Sequence, residues 1–331
     1  MLDWFDKARE FKRNLSEQLS QTGFAVLEES EPPEESSLPA NVEVEAVEIP
    51  GVYRVQDSYR GCSGLRFFMD GVQRTVLWQY YNYEGVQVPL FLHFSGACVI
   101  ERVRRDQYVP LYSAYNSEIL VPKFIFKETG IQEGVVDTGA EKPWDLNEIK
   151  SRAKVKSRAL RQELELKVVN RFLDSHASEE TLLVKDGNLI GTPRSKPVIG
   201  LVKTHNTLYL QEKYPQVQRM VWNMEEYHRS NVFAIRQREK QGWSHRSNSF
   251  YLRLHPPTQP ETGLLRVEYE DLPLPVDELA SWLIAERYVI AKGPRWDRQI
   301  YPIQVCEDYL RTQLPNMRTI ETALKSFEVA L

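Results

Sequence analysis

Leu65-Arg66-Phe67-Phe68-Met69-Asp70-Gly71 is an apolar run that stops at a carboxylate and a glycine. Such a run has the composition of a buried strand. Its aspartate raises a physical question, because a carboxylate near a core costs free energy unless it is hydrogen-bonded or binds a cation. The ordinary answer is a turn, since Asp-Gly is a common hairpin connection. Here it would join this strand to the next one, TVLWQYYN at residues 75–82. The same grammar returns in LLVKDGNLIG, where Leu182, Leu183 and Val184 lead through Lys185 into Asp186-Gly187. Each aspartate alone reads as a turn residue. Two of them at two strand ends open a second reading, in which neighbouring strand ends bring both carboxylates to one metal.

The elements around these runs set the fold class. A third strand is expected over residues 86–102 (VQVPLFLHFSGACVIER), broken near Ser95-Gly96, which makes the region a mainly antiparallel meander. Residues 129–145 read as a loop. A long helix without Pro or Gly runs from about residue 146 to 174. The Asp186 strand and VIGLVKT at 198–204 follow, then a helical excursion from Tyr214-Pro215 through His228. Strands are expected at 232–238, 249–254 and 264–269, and helices at about 276–287 and 302–327. At the front, Trp4, Phe5, Ala8, Phe11 and Leu15 recur at helical spacing. Residues 28–48 (EESEPPEESSLPANVEVEAVE) read as an acidic linker or surface loop. The division is therefore an N-terminal helix with acidic linker at 1–50 and one α/β domain at 51–331. Three strands, a helix and a strand is the order that opens an RNase H-like domain, and other α+β folds share it.

Two helical glutamates join the aspartates. Glu165 has Val168, Val169 and Phe172 at +3, +4 and +7, so it lies on the core-facing stripe of its helix, whereas Glu163 keeps Lys167 and Asn170 for company. A metal would account for a glutamate there, and so would an ion pair with Arg161 one turn back. In YPIQVCEDYLRTQL, Glu307 has Ile303, Leu310 and Leu314 at −4, +3 and +7, and Asp308 reads as solvent-facing. Asp70, Glu165 and Asp186 form an all-oxygen set that suits Mg²⁺ or Mn²⁺, and Glu307 is the candidate fourth member. Such ions activate water and stabilise the leaving oxygen in phosphodiester cleavage.

Other chemistries have less support. The chain holds no GxxxxGK[ST], GxSxG or HExxH. Its six histidines show no ligand spacing, and Cys62, Cys98 and Cys306 form no CxxC, so neither a zinc site nor a disulfide framework is expected. Formal charge is −4 with 27% charged residues, so a nucleic-acid site must be a local basic surface. One such surface is Lys150, Arg152, Lys154, Lys156 and Arg158, ahead of Glu165. A second mixes Arg236, Arg238, Lys240, Trp243, His245 and Arg246, a blend that suits stacked bases and phosphates. Arg74 and Lys203 are further candidates for phosphate contact. Against each patch stands the reading of a solvated face. The mixed-charge N-terminus has no apolar h-region and no stretch spans a bilayer, so a cytoplasmic protein is expected, with no membrane partner.

The matching segments FFMDG at Asp70, the LE pair at Glu165, LLVKDGNLIG at Asp186, VIGLVKTH at Lys203 and YPIQVCEDYLR at Glu307 resemble the NurA nuclease family over about residues 60–315. The resemblance implies an RNase H-like core, Mn²⁺- or Mg²⁺-dependent processing of DNA ends in repair, a homodimer, and partnership with a HerA-type hexameric ATPase. It assigns the family's acidic positions to Asp70, Glu165 and Asp186. The last helix departs from it: Cys306-Glu307 stands where the family commonly has Ala-His. Two alternatives stay open, a non-catalytic adaptor that docks on the ATPase and a nuclease acting on RNA or an RNA–DNA hybrid.

Overall fold

The computed structural model describes residues 3–15, 18–20, 25–27, 41–56, 63–176, 181–192, 197–205, 207–239, 242–288 and 296–329. Helix α1 (Asp3–Asn14) opens the chain and buries Trp4, Ala8 and Phe11, as the spacing predicts. Four short strands follow: β1 (Leu19–Ser20), β2 (Ala25–Val26), β3 (Val42–Ala46) and β4 (Val52–Arg54). Three long strands make the meander: β5 (Phe67–Tyr83), β6 (Val86–Arg104) and β7 (Gln107–Val121). Then come α2 (Lys123–Thr129), β8 (Val135–Asp137) and α3 (Leu146–Ser175). After α3 run β9 (Leu183–Asp186), β10 (Val198–Val202), α4 (Pro215–Asn223), β11 (His228–Ser230), β12 (Phe233–Glu239), β13 (Gly242–Arg253) and β14 (Leu264–Tyr269). Helices α5 (Val276–Ala285), α6 (Tyr301–Gln313) and α7 (Met317–Val329) close it.

The fold is α/β: one large mixed sheet flanked by helices, in the order β3-β12-β13-β14-β10-β9-β5-β6-β7-β8. β9 is parallel to both of its neighbours, β5 and β10, and the β5-β6-β7 meander is antiparallel. Side chains alternate between faces along each strand. Phe67 and Met69 of β5 and Leu183 of β9 pack with Val168, Val169 and Phe172 of α3. Phe68 and Val72 of β5 and Val184 of β9 join the opposite core with Ile303, Cys306 and Leu310 of α6. Thus α3 covers one face of the central strands and α6 the other. Among the described residues no helix is long and apolar enough to cross a membrane.

Several boundaries differ from the sequence expectation. Asp70-Gly71 is not a hairpin turn, because β5 runs straight through it. The β5–β6 turn is Glu84-Gly85, where both residues take positive φ (49° and 84°) as a tight hairpin requires. β6 passes Ser95-Gly96 unbroken. β7 and α2 were not foreseen, and the loop at 129–145 contains β8. The segment expected as linker through residue 48 holds β3 at its end, paired with β12, while residues 28–40 lie outside the described residues. The excursion ends as α4 at Asn223, and His228 starts a strand. The expected helix at 302–327 is two, α6 and α7, because Leu314 precedes Pro315 and takes extended backbone.

Candidate functional site

Pairing register puts the two aspartates side by side. Met69 of β5 lies opposite Lys185 of β9, so Asp70 and Asp186 are the next residues along two adjacent parallel strands. Alternation turns both toward α6, because Phe68 and Val184, two residues earlier, pack in the core on that side. Asp70 also lies opposite Cys98 of β6, and Cys98 Sγ meets Cys306 Sγ of α6 at 3.0 Å. That contact seats α6 over Asp70 and carries Glu307, the next residue, to the same place.

Glu165 reaches the pair from the α3 face. It is 4% exposed and stands on the stripe with Val168, Val169 and Phe172. Its seat is Gly71, the position on β5 that faces α3. A Cβ there would lie 2.7 Å from Glu165 Cγ and closer still to Oε1, so the glycine is what admits the carboxylate to the sheet. Gly200 of β10 does the same for the turn after Asp186: its Cβ would stand 2.7 Å from the Gly187 carbonyl oxygen.

The electrostatics centre on Asp70. It is 4% exposed, and one of its oxygens accepts a hydrogen bond from Gly71 N at 2.7 Å. Burial raises its pKa well above the ordinary carboxylate value; the charges of Asp186, Glu307 and Glu165 raise it further, and Lys203 opposes them. Three of the four carboxylates carry cationic partners. Lys203 Nζ stands 2.7 Å from Asp186 Oδ1 as an ion pair without hydrogen-bond geometry, and the same ammonium donates to Gln299. Arg161 pairs with Glu165 Oε1, and Lys185 Nζ lies 3.3 Å from Oε2. Arg311 pairs with Glu307 at 2.6 Å. Asp70 alone among them has no ion-pair partner among the described residues.

All four sequence candidates, Asp70, Glu165, Asp186 and Glu307, therefore lie in one electrostatic cluster, and Asp308 is exposed and accepts from Gln304. As placed, no group of three Asp, Glu, His or Cys side chains among the described residues is arranged to hold a metal ion. The donor chemistry nevertheless fits a hard divalent ion: the ligands would be oxygens, Asp70 is buried with no ion-pair partner among the described residues, and Gly71 leaves a cradle that Glu165 enters. Ammonium and guanidinium groups pair with three of the four carboxylates in this arrangement.

The basic candidates scatter. Lys203 is at the site. Arg74 donates to the Pro315 carbonyl, and burial and the charge of Arg311 lower its pKa. Lys154, Lys156 and Arg158 lie half-buried along α3. Arg236 pairs with Glu45 across β12 and β3 at 2.9 Å. The side chains of Arg238, Lys240, Trp243, His245 and Arg246 lie outside the described residues, as does Cys62. Cys98 and Cys306, distant in sequence, are in contact as free thiols. His93 is a core histidine between Thr75 and Ser157, each at 3.1 Å, with its pKa lowered to about 4 by burial and the charge of Arg161.

One site residue was missed. Lys185 is 6% exposed and donates to the carbonyls of Asp186 (3.2 Å) and Asn188 (3.1 Å) while pairing with Glu165. Its signal in the sequence was a lysine inside the apolar run LLVKDG. Scanned against models of known protein families and against curated protein sequences, the chain has no match.

Proposed function

We propose that this protein is a metal-dependent nuclease with an RNase H-like core that hydrolyses DNA phosphodiester bonds and processes DNA ends as a homodimer on a HerA-type hexameric ATPase. The observation that carries the chemistry is the convergence of Asp70 and Asp186 on one face of adjacent parallel strands, with Glu165 and Glu307 close enough to raise the pKa of Asp70. The strand order β7-β6-β5-β9-β10, antiparallel through the meander and parallel at β5-β9-β10, supports the RNase H-like reading. The DNA substrate, the dimer and the motor rest on the resemblance to NurA.

Asp70, Asp186 and Glu165 would hold Mn²⁺ or Mg²⁺, with Glu307 as the fourth carboxylate. The ion, when bound, supplies an activated water and stabilises charge on the departing oxygen. Lys185 keeps the turn after Asp186 in register with Glu165, and Lys203 offers an ammonium beside the scissile phosphate. The test is Mn²⁺-dependent degradation of linear DNA by wild type and Asp70→Ala, with matched RNA and hybrid substrates in parallel. Equal DNA degradation by the two proteins would sink the assignment.

One set of contacts favours a second reading, a non-catalytic adaptor on the ATPase. Lys185, Lys203, Arg161 and Arg311 already neutralise three of the four carboxylates. In that reading the cluster is a structural ion-pair network, and calorimetric titration detects no Mn²⁺ binding.

A further inference from the structure

The cations around the carboxylates are held in two ways. Lys185 is an inside cation: its side chain is 7% exposed, and three acceptors on two elements fix it. Arg161 comes from the solvent side, with its side chain 26% exposed. Its close partner is Glu165 Oε1, one helical turn on, and its reach to Gly71 O (3.4 Å) and Gln73 Oε1 (3.3 Å) is long. A divalent ion at Glu165 would compete for the oxygen that Arg161 occupies. A guanidinium that loses a carboxylate keeps a planar fork of donors whose natural alternative partner is a phosphate.

The helix supplies the direction of that exchange. Lys154, Arg158, Arg161 and Glu165 stand at i, i+4, i+7 and i+11 of α3, which is one stripe of an α-helix. Lys154 and Arg158 are half-buried side chains on that stripe, so a released Arg161 would extend a row of positive charge to the edge of the carboxylate cluster. Arg311 is held differently: its fork lies over Glu307 through two nitrogens (2.9 and 2.6 Å).

We propose that Arg161 is an exchangeable cation that neutralises Glu165 in the metal-free protein and turns to a nucleic-acid phosphate when a divalent ion takes that carboxylate. This rests on the nuclease reading and adds to it a coupling between the two ligands. The ion frees a phosphate-binding group, so each ligand tightens the other by the same factor. Arg161 is then both a competitor of the metal and a contact for the substrate.

The two roles have opposite signs in one variant, Arg161→Gln. Calorimetric titration of Mn²⁺ into the full-length protein without DNA is expected to show tighter binding by the variant, by about threefold or more, the worth of an ion pair whose arginine is partly exposed. Fluorescence anisotropy with a phosphorothioate duplex, which resists cleavage, reads the other role. With Mn²⁺ present, the slope of log affinity against log salt falls by about one in Arg161→Gln, as for the loss of one phosphate contact; without Mn²⁺ it matches wild type. Arg161→Lys keeps the charge and retains the wild-type slope, and circular dichroism of both variants verifies folding. Equal or weaker Mn²⁺ binding by Arg161→Gln, or the same change of slope with and without Mn²⁺, overturns the proposal while leaving the nuclease reading in place. Absence of Mn²⁺ binding to the wild type overturns both.

Discussion

Asp70 is the residue on which the site turns, and its environment makes a thermodynamic statement. An unfolded aspartate titrates near the ordinary value of about 3.9. In the fold, burial and then the charges of Asp186, Glu307 and Glu165 hold it protonated to higher pH. Between these two values the folded state binds more protons than the unfolded state, so stability falls as pH rises through that window and stays lower above it. Asp70→Asn removes the loss. At neutral pH and without divalent ions, the variant is expected to melt a few degrees above wild type, about the effect of 1–2 kcal/mol in a chain of this size, and to lose DNA cleavage. The gain should shrink as pH falls to the ordinary carboxylate range, and differential scanning calorimetry across pH checks both points. A melting temperature lowered at neutral pH would show that the carboxylate is structurally required rather than held at a cost. Residues of this kind were legible in sequence because a carboxylate in an apolar run needs a reason. Glu165 was legible for the same reason, through its helical stripe. Lys185 was not: in LLVKDG it looks like an interruption, and its role depends on the turn carbonyls and on Glu165, which only the folded chain brings to it.

At the scale of elements, the instructive error is Asp70-Gly71. Asp-Gly is read as a turn because glycine accepts positive φ, yet positive φ here belongs to Gly85, whereas Gly71 lies inside a strand and serves by lacking a Cβ. Steric need and conformational need select the same residue, and sequence alone does not separate them. Gly71→Ala does. At a turn glycine the added methyl would cost about 1–2 kcal/mol of backbone strain and leave the carboxylates alone, whereas a Cβ at Gly71 lies against the Glu165 side chain and must displace it from its seat. Equilibrium denaturation is expected to show a loss of about 1–3 kcal/mol, the usual effect of overpacking, together with loss of Mn²⁺ binding. Gly200→Ala should disturb the Asp186 turn in the same manner, through the Gly187 carbonyl 2.7 Å from the added atom, and retain the Glu165 seat. The helices were read well where a stripe was clear: α1 through Trp4, Ala8 and Phe11, and α3 through Val168, Val169 and Phe172. β7 escaped because its pattern is blurred, with Pro110 inside it and half-buried residues along most of its length. The contact between Cys98 and Cys306 escaped for a different reason, since their separation of 208 residues carries no local signal and only α6 docking on β6 creates it.

For the whole molecule, the question is whether the carboxylate cluster is a metal site held open by cations or an ion-pair network that is already complete. Net charge does not decide it, because −4 over 331 residues is compatible with either and the relevant charges are local. Linkage does. An ion that binds the folded state and not the unfolded one stabilises the fold by about 2.7 kcal/mol at one hundred times its dissociation constant. In a chain of this size that shift is several degrees in melting temperature. The nuclease reading requires Mn²⁺ to raise the melting temperature of wild type, to leave Asp70→Asn and Asp186→Asn unmoved, and to act more strongly as pH rises, since a protonated Asp70 is a poor ligand. The adaptor reading requires no shift at any pH, because Lys203, Lys185, Arg161 and Arg311 leave no charge for the ion to neutralise except that of Asp70. A shift equal in all three proteins would mean that the ion binds elsewhere, and the cluster would then hold the sheet to α3 and α6 without touching a substrate.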